Sequence, residues 1–200
     1  MCGVVGFSCE DPASYHLNLL HKIIIQSKIR GLHSFGYTYN DKELITKKHH
    51  DINKLDLPLV NKLIYHNRYS TSGDYKNHNN NQPISNKDIS LVFNGVLDMR
   101  TKQEIEKHYN IKMQTDNDGE IVLHKYKVNL QQYIKETTGS FAGLILTSCN
   151  KLLAIRNRNR PLWKVNVNEA TYFASTKDIF MRADNTLKPV ELKPYVLYEY

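Results

Sequence analysis

Hydrophobic and polar positions along the chain fall into short apolar runs separated by polar, turn-forming segments. The first run, Cys2 to Ser8, is apolar and contains two glycines, which is typical of a buried strand. After Asp11-Pro12, which suits a helix start, apolar residues recur at helical spacing and predict a helix over about residues 12–29. Residues 34–40 and 44–48 then predict a pair of strands joined by a turn.

The middle of the chain is less regular. Residues 55–64 are predicted to contain a short helix that leads into a strand ending near Tyr65. Residues 72–88 are rich in Gly, Asn, Asp and Lys and lack apolar periodicity, so they are predicted to form the longest loop. A loop of this length inside a compact domain is more often functional than not.

The sequence of the second half of the chain predicts helices followed by strands. A polar helix over 101–109 begins with Thr101 and Glu104 at capping-box spacing. Two further helices are predicted over 118–126 and 130–136, and short strand-like runs with turn residues between them follow. Strands, then helices, then strands again favour an α+β protein with antiparallel sheets.

Composition narrows the class of protein. The chain has 200 residues, of which 40% are hydrophobic, and shows no internal repeat or linker, so residues 1–200 are predicted to form one domain. This length leaves no room for a large catalytic module plus a second substrate domain. With 27 Lys and Arg against 20 Asp and Glu, the net charge of +7 suits a phosphate-bearing partner, but a solvated lysine-rich surface produces the same sum.

The apolar runs also bear on localisation. The longest are far shorter than the roughly 20 residues that span a bilayer, so no membrane association is predicted. The N-terminus lacks the apolar stretch of a signal peptide, because Glu10 and Asp11 interrupt it early. A cytoplasmic protein is expected.

Cys2 directly follows the initiator methionine. Once Met1 is removed, this residue carries both a thiol and a free α-amino group. An α-amine has an unperturbed pKa of roughly 7.7 to 8.0, so at neutral pH an unprotonated amine can accept the thiol proton. The pair predicts a nucleophile with its own general base, although a Met-Cys start taken alone is far more often structural.

The other cysteines and the histidines suggest no further chemistry. Three scattered cysteines are too few for a disulfide framework or a zinc site. Cys9 and Cys149 are expected to be ordinary buried or half-buried thiols. The histidines, His49 and His50 among them, lack metal-ligand spacing and are expected to be solvated.

A series of short motifs follows Cys2 along the chain. They are CGVVGF from Cys2, RGLHSFG from Arg30, HNRYSTSG from His66 with Asn81-Gln82-Pro83 after it, Asn94-Gly95, TDNDGE from Thr115, GSFA from Gly139, Arg156 with Arg160-Pro161-Leu162, and Ala174-Ser175. In this order the motifs resemble those of the class II, N-terminal cysteine glutamine amidotransferases, and most closely the glutaminase half of the amidophosphoribosyltransferases. The resemblance covers about residues 2–198.

The resemblance implies a reaction and its catalytic residues. Cys2 would attack the carboxamide of L-glutamine, release ammonia and form a γ-glutamyl thioester that water hydrolyses to glutamate. The Asn94 side chain and the Gly95 backbone N–H would stabilise the oxyanion, and Arg30 would lie near the nucleophile. No metal or organic cofactor is implied.

The resemblance also implies how glutamine is held. Arg68 would pair with the α-carboxylate, because a planar guanidinium can bind both oxygens, and Thr71 would donate a further hydrogen bond. Asp118 would accept the α-ammonium group, in preference to Asp116, because Asp118 keeps the family's spacing. Tyr69 belongs to the same motif as Arg68 and is predicted to contribute to substrate binding.

Each of these residues also has a simpler interpretation when taken alone. An isolated arginine such as Arg68 is more often a surface ion-pair residue, and Asn94-Gly95 is a common hairpin turn. Asp116 and Asp118 could form a loose cation site or the charged start of a helix.

The chain departs from the family pattern at four places. His33 stands where an acidic residue is usual, Phe93 where a histidine is common, and Met99 where an asparagine is common. The segment 156–160 is shorter and more basic than its counterpart. A divergent member with an intact nucleophile is expected.

Members of the resembled family share a four-layer αββα sandwich of two antiparallel sheets, the N-terminal nucleophile hydrolase fold. The resemblance also implies an acceptor for the ammonia, expected on a separate synthase subunit, with a nucleotide- or nucleobase-modifying enzyme favoured. A free-standing hydrolase of a γ-glutamyl compound and a non-catalytic regulatory or binding subunit stay open. Nucleic-acid binding is disfavoured, because the positive residues are dispersed and no binding motif is present.

Overall fold

Two antiparallel β-sheets lie face to face in a computed structural model that describes residues 2–70 and 74–200. The strands are β1 (Gly3–Ser8), β2 (Ser34–Asp41), β3 (Glu43–His49), β4 (Lys62–Arg68), β5 (Ile84–Ser85), β6 (Ile89–Val96), β7 (Ser140–Thr147), β8 (Leu152–Arg156), β9 (Trp163–Val167), β10 (Ala170–Ala174), β11 (Val190–Glu191) and β12 (Tyr198–Glu199). The α-helices are α1 (Ser14–Ser27), α2 (Lys102–Tyr109), α3 (Glu120–Glu136) and α4 (Lys177–Ala183).

The two sheets have defined strand orders. One sheet has the order β11-β9-β10-β1-β4-β2-β3, and the other has the order β12-β8-β7-β6-β5. The first strand therefore lies in the interior of its sheet, between β10 and β4, with Val4 opposite His66. Consequently the N-terminal end of β1 meets the C-terminal end of β4.

Alternation along the strands divides the core into layers. Val4 packs between the two sheets with Ile64 and Val92, whereas Val5 points outward beneath α1 and α4. On the opposite side, α3 covers the second sheet and buries Ile134. Strand β1 is buried along its whole length because both of its faces are covered. The predicted four-layer αββα arrangement is confirmed.

Two predictions about helices are wrong: the start of the first helix and the presence of a short helix within residues 55–64. Helix α1 begins after Ala13 and not at Asp11-Pro12, because the Ala13 N–H donates to the Nδ1 of His16 at 3.0 Å and this bond caps the helix. Residues 55–61 contain no helix. A 3-10 turn (Ile52–Lys54) precedes them, and Pro58, which lacks an N–H, interrupts the stretch.

The second half follows the predicted pattern more closely. Thr101 and Glu104 form the predicted capping box at the start of α2. Helix α3 spans both predicted helical segments, and the backbone is non-helical at Asn129, where the break between them is predicted. Of the predicted long loop, the described part holds a 3-10 turn (His78–Asn80) and the short strand β5. Helix α4 and strands β11 and β12 are not predicted by the sequence pattern.

Expected burial is wrong for several single residues. Cys9 is buried as expected, but Cys149 is exposed. His16 and His66 are buried and not solvated. Searching the described part of the chain reveals no helix that combines the length and the apolar character required to cross a membrane.

Candidate active site

A cavity of about 410 Å³ opens at the end of the sandwich where β1 begins and β4 ends. Five of the predicted site residues line it: Cys2, Arg68, Tyr69, Gly95 and Asp118. They come from the start of β1, the end of β4, the end of β6 and the loop before α3. Residues far apart in sequence therefore meet at one end of two rigid sheets.

Cys2 is held by three contacts. Its backbone N donates to Asn94 Oδ1 at 3.1 Å, and its Sγ lies 3.8 Å from the carbonyl oxygen of Tyr69. On another side, Arg30 Nε donates to the carbonyl oxygen of Cys2 at 3.4 Å. The nucleophile predicted from its sequence position is thus fixed at the rim of the cavity by residues that the sequence also predicts.

Burial raises the pKa of the Cys2 thiol, and the positive charges of Arg68 and Arg30 are among the effects that oppose the rise. A thiol with a raised pKa is protonated at neutral pH. Attack by this residue therefore requires a proton acceptor close to the sulfur. The nitrogen of Cys2 itself, positioned by Asn94, meets that requirement only as a free α-amine.

Of the two polar atoms of the Asn94 side-chain amide, one is hydrogen-bonded and the other has no partner among the described residues. Oδ1 accepts from the Cys2 nitrogen, whereas Nδ2 is buried and has no hydrogen-bond partner in the described structure. A buried amide donor that stays unsatisfied costs about 1–3 kcal/mol. The cost is recovered when an oxygen binds there, which is the role of an oxyanion-hole donor.

Gly95 follows Asn94 on β6 with a φ of 157°. A Cβ at this position would overlap the carbonyl oxygen of Ser140 on the neighbouring strand β7. Only glycine therefore fits at this position. The residue also lines the cavity. Asn94 and Gly95 lie near the C-terminal end of β6 and are paired with β7. The hairpin-turn interpretation is therefore wrong.

Arg68 is buried and not a surface ion-pair residue. Its Nη1 donates to the backbone oxygen of Asn80 at 3.0 Å and to Asn81 Oδ1 at 2.5 Å. These bonds fix the guanidinium on the cavity wall before any ligand binds. A fixed, planar cation is suited to a carboxylate.

Asp118 lines the same cavity and also organises its wall. Its Oδ2 accepts from the backbone N–H of Leu97 at 2.5 Å and of Asp98 at 3.1 Å. Burial raises the pKa of this carboxyl group, and these backbone hydrogen bonds oppose the rise. Asp116 also lines the cavity but is exposed, so Asp118 is the better placed of the two to present a negative charge to a bound cation.

The remaining predicted residues differ in their placement. Arg30 contacts the backbone of Cys2 and is not among the residues that line the cavity. Tyr69 lines the cavity with a ring that is 51% exposed, and its carbonyl oxygen is the atom that contacts Cys2. Thr71 lies outside the described residues.

The departures from the family pattern can also be placed. Nδ1 of His33 accepts the backbone N–H of Ser70 at 2.8 Å, so an acceptor is present where a carboxylate is usual. Phe93 stacks on Phe141 with the ring centroids 5.4 Å apart and adds an apolar wall to the cavity. Met99 is 88% exposed at the rim.

The basic segment 156–160 lies beside the site. Arg156 pairs with Glu191 at 2.9 Å, and Arg160 donates to Ser140 Oγ at 3.2 Å. Burial, together with the charge of Arg160, lowers the pKa of Arg30. The charge of Arg160 thus reaches Arg30, which in turn contacts the backbone of Cys2.

His66, Asn80 and Gln82 are among the cavity-lining residues that have no role in the sequence-based prediction. Gln82 accepts the Phe93 N–H through Oε1 at 2.6 Å, which ties the segment before β5 to β6. His66 is fully buried, and neither ring nitrogen has a partner in residues 2–70 and 74–200. Both residues lie within motifs of the resembled family, which is the signal that could have identified them.

Burial lowers the pKa of His66 to about 3, and the neighbouring charge of Arg68 adds to the effect. In the unfolded chain the pKa of a histidine is about 6.5. Between that pH and about 3, the imidazole of the unfolded chain therefore binds a proton that His66 of the folded chain does not bind. Acidification therefore favours unfolding. We expect the free energy of unfolding to fall by about 1.4 kcal/mol for each pH unit below about 6.5 on account of this residue.

Urea unfolding between pH 4 and 7 measures this effect as the difference between the wild type and His66→Gln. The variant lacks the titrating imidazole but keeps a polar side chain, so its stability should depend less steeply on pH. Parallel curves for the two proteins would show that His66 is not the group responsible.

Within the described ranges, no three His, Cys, Asp or Glu side chains are arranged so that they could hold a metal ion. The site presents the Cys2 thiol, the Asn94 amide and the Gly95 backbone, together with the Arg68 guanidinium and the Asp118 carboxyl group.

Comparison of the chain with known protein families identifies the family to which it belongs. Residues 66–182, more than half of the chain, match the glutamine amidotransferase domain family. The chain belongs to this family. The match includes Arg68, Asn94, Gly95 and Asp118, and the resemblance to the class II, N-terminal cysteine type is confirmed, as is the enzyme class.

Individual relatives of the amidotransferase domain are more distant. Over 130 residues it is 29% identical to asparagine synthetase [glutamine-hydrolyzing] 1 of Bacillus subtilis (strain 168), an alignment that covers 61% of this chain and 20% of that protein. Among solved structures, the glutamine phosphoribosylpyrophosphate amidotransferase from B. subtilis, complexed with ADP and GMP, superposes with a TM-score of 0.74 at 21% identity. A structure described as the allosteric regulatory enzyme of purine biosynthesis superposes with a TM-score of 0.75, also at 21% identity.

The two solved structures support the fold. The alignments cover 100% and 96% of the amidotransferase domain but only 49% and 45% of the respective solved chains. The domain thus spans less than half of the length of each of these relatives.

Proposed function

We propose that this domain hydrolyses L-glutamine to glutamate and ammonia, with Cys2 as the nucleophile. One observation carries the proposal: the Asn94 amide holds the Cys2 nitrogen through Oδ1, while its Nδ2 is buried and has no partner among the residues that the structure describes. A single side chain thereby orients the attacking residue and offers a donor for the oxygen of the group under attack. We further propose that residues 1–200 form one such domain.

The opposite charges of the cavity match the two charged groups on the α-carbon of glutamine. Arg68 would bind the α-carboxylate, because its guanidinium is already held in place by Asn80 and Asn81. Asp118 would bind the α-ammonium group, and a bound cation would in turn favour the ionised carboxylate despite its burial. With both groups on the α-carbon held, the carboxamide at the other end of the side chain would extend to Cys2.

The first half of the reaction forms a thioester. After Met1 removal, the Cys2 α-amine accepts the thiol proton and the sulfur attacks the carboxamide carbon, placing negative charge on the oxygen. Asn94 Nδ2 and the Gly95 N–H stabilise that oxygen. The tetrahedral intermediate collapses, the C–N bond breaks, and the nitrogen leaves as ammonia with the proton that the amine carried.

The second half regenerates the enzyme. A water molecule gives a proton to the same α-amine and attacks the thioester carbon, forming a second oxyanion in the same position. Breaking of the C–S bond then releases glutamate, and the thiolate recovers the proton. Each oxyanion uses the same two donors, so one preorganised site serves both steps.

Ammonia would pass to an acceptor-modifying synthase on a separate subunit, and we favour one that modifies a nucleotide or nucleobase. The proposal is supported by the relatives, since the domain aligns with 49% of a phosphoribosylpyrophosphate amidotransferase and 20% of an asparagine synthetase.

The test is release of glutamate and ammonia in equal amounts from L-glutamine by protein whose intact mass shows that Met1 is absent. Two substrate analogues serve as matched controls. Glutaramate lacks the α-ammonium group, and the α-amide of glutamine lacks the α-carboxylate. We expect each to be hydrolysed with a kcat/KM at least about tenfold lower, because each leaves one charged wall residue without its partner.

Protein that lacks Met1 and releases no glutamate from L-glutamine would contradict the proposal. Turnover of a γ-glutamyl compound in preference to glutamine would replace it with a free-standing hydrolase. A glutaminase rate that rises when a copurifying synthase is added would support ammonia transfer to a separate subunit.

A further inference from the structure

His33 contacts the substrate-binding end of β4 at two points. Its backbone N–H donates to the carbonyl oxygen of Arg68 at 3.0 Å, and its Nδ1 accepts the backbone N–H of Ser70 at 2.8 Å. We refer to residues 68–70 as the Arg68 turn. A single residue thus binds both ends of this turn.

The His33 ring also lies between two aromatic rings. Its centroid is 5.2 Å from that of Tyr69 and 4.8 Å from that of Tyr75, and the planes are inclined by 25° and 24°. The Tyr75 carbonyl oxygen accepts from Asn81 Nδ2 at 2.7 Å, and the Oδ1 of the same Asn81 accepts from Arg68. His33, Tyr75, Asn81 and Arg68 therefore form a closed cycle of contacts that includes the guanidinium.

His33 itself is anchored to the rigid part of the fold. The preceding Gly31 accepts a hydrogen bond from the buried Asn67 Nδ2 at 3.0 Å, and a Cβ on Gly31 would overlap the backbone of Arg68. On the other side, the Nδ1 of His50 lies 3.3 Å from the His33 carbonyl oxygen. The segment that carries His33 is therefore fixed closely against β4.

The Arg68 turn carries two groups of the site. One is the Arg68 guanidinium on the cavity wall, and the other is the Tyr69 carbonyl oxygen, 3.8 Å from Cys2 Sγ. A group that fixes this turn therefore sets the position of the cation relative to the nucleophile.

We propose that His33 is a positioning residue, which holds the Arg68 turn for binding of the substrate carboxylate by accepting the Ser70 N–H on its Nδ1. This role rests on the proposed glutaminase function. It predicts that a loss of the acceptor weakens glutamine binding, because the turn loses its hydrogen bond, and has less effect on the chemical step at Cys2.

Three substitutions separate the acceptor from the ring. His33→Ala removes both, His33→Phe keeps a ring between Tyr69 and Tyr75, and His33→Asp keeps an acceptor without the ring. We expect His33→Ala and His33→Phe to raise KM for glutamine about tenfold, the worth of one hydrogen bond, and to change kcat by less than about threefold. His33→Asp should restore KM to within about threefold of the wild type.

His124→Ala is the matched control, because His124 is an exposed histidine on α3 and should leave both constants unchanged. Rescue by phenylalanine and not by aspartate would overturn the acceptor role, as would equal losses in all three variants together with a lower melting temperature. Wild-type turnover with unchanged KM in every variant would overturn the His33 proposal alone. A wild type without glutamine turnover would overturn the proposed function and this role with it.

Discussion

Replacing Cys2 with serine is expected to lower the rate of glutamate release from L-glutamine by at least about 10⁴-fold. The hydroxyl of serine is far less acidic than a thiol, so the α-amine that suffices to deprotonate cysteine cannot activate it. Serine is also small enough to permit Met1 removal, so the variant should present the same α-amine in the same position. The measurement is glutamate release under substrate saturation, with the intact mass of both proteins recorded.

Cys149→Ser provides the control for this substitution. Cys149 is an exposed thiol on the turn between β7 and β8, remote in sequence from every residue of the cavity. Its replacement should leave the rate unchanged and should also remove any reaction of the exposed thiol with alkylating reagents. A Cys2→Ser protein that releases glutamate at the wild-type rate would eliminate Cys2 as the nucleophile.

Replacing Asn94 with alanine is expected to reduce kcat by about 10²–10³-fold, the usual cost of one oxyanion donor. The buried Nδ2 has no partner in the described structure until an oxygen reaches it, so its loss acts mainly on the transition state. KM should change much less, because binding of the α-carboxylate and the α-ammonium group is assigned to Arg68 and Asp118. Steady-state kinetics over a range of glutamine concentrations separates the two constants.

Asn94→Asp refines this prediction. The variant keeps an oxygen that can accept from the Cys2 nitrogen but replaces the Nδ2 donor with a second acceptor and adds a negative charge. We expect it to be at least as inactive as Asn94→Ala, although its nucleophile is still held. If kcat survives in either variant and only KM rises, Asn94 binds substrate and does not stabilise the oxyanion.

The sequence is informative about the residues whose chemistry depends on type and order. Cys2, Arg68, Asn94, Gly95 and Asp118 are identified from their motifs, and the structure brings all of them together. Short apolar runs separated by turn-forming residues likewise predict most strands. These features are local, because a strand needs only its own pattern and a motif needs only its own residues.

What the sequence does not reveal depends on contacts between distant segments. The orientation of Arg68 depends on Asn80 and Asn81, and the burial of His66 depends on the closure of one sheet on the other. A helix is predicted within residues 55–64, but Leu55, Leu57 and Val60 pack without helical structure against the core on the outer face of the first sheet, and Leu59 is 51% exposed. Propensity is overridden there by tertiary packing.

The interior position of β1 has a consequence for the order of events during synthesis. Its partners are β4 and β10, and the Val4 N–H donates to Ser175 Oγ at 2.7 Å. The strand that carries Cys2 therefore stays without one neighbour until a segment near residue 175 has left the ribosome. Under the proposed function, Met1 can therefore be removed before the site closes, and the site is completed only after β10 and the segment near residue 175 have been synthesised.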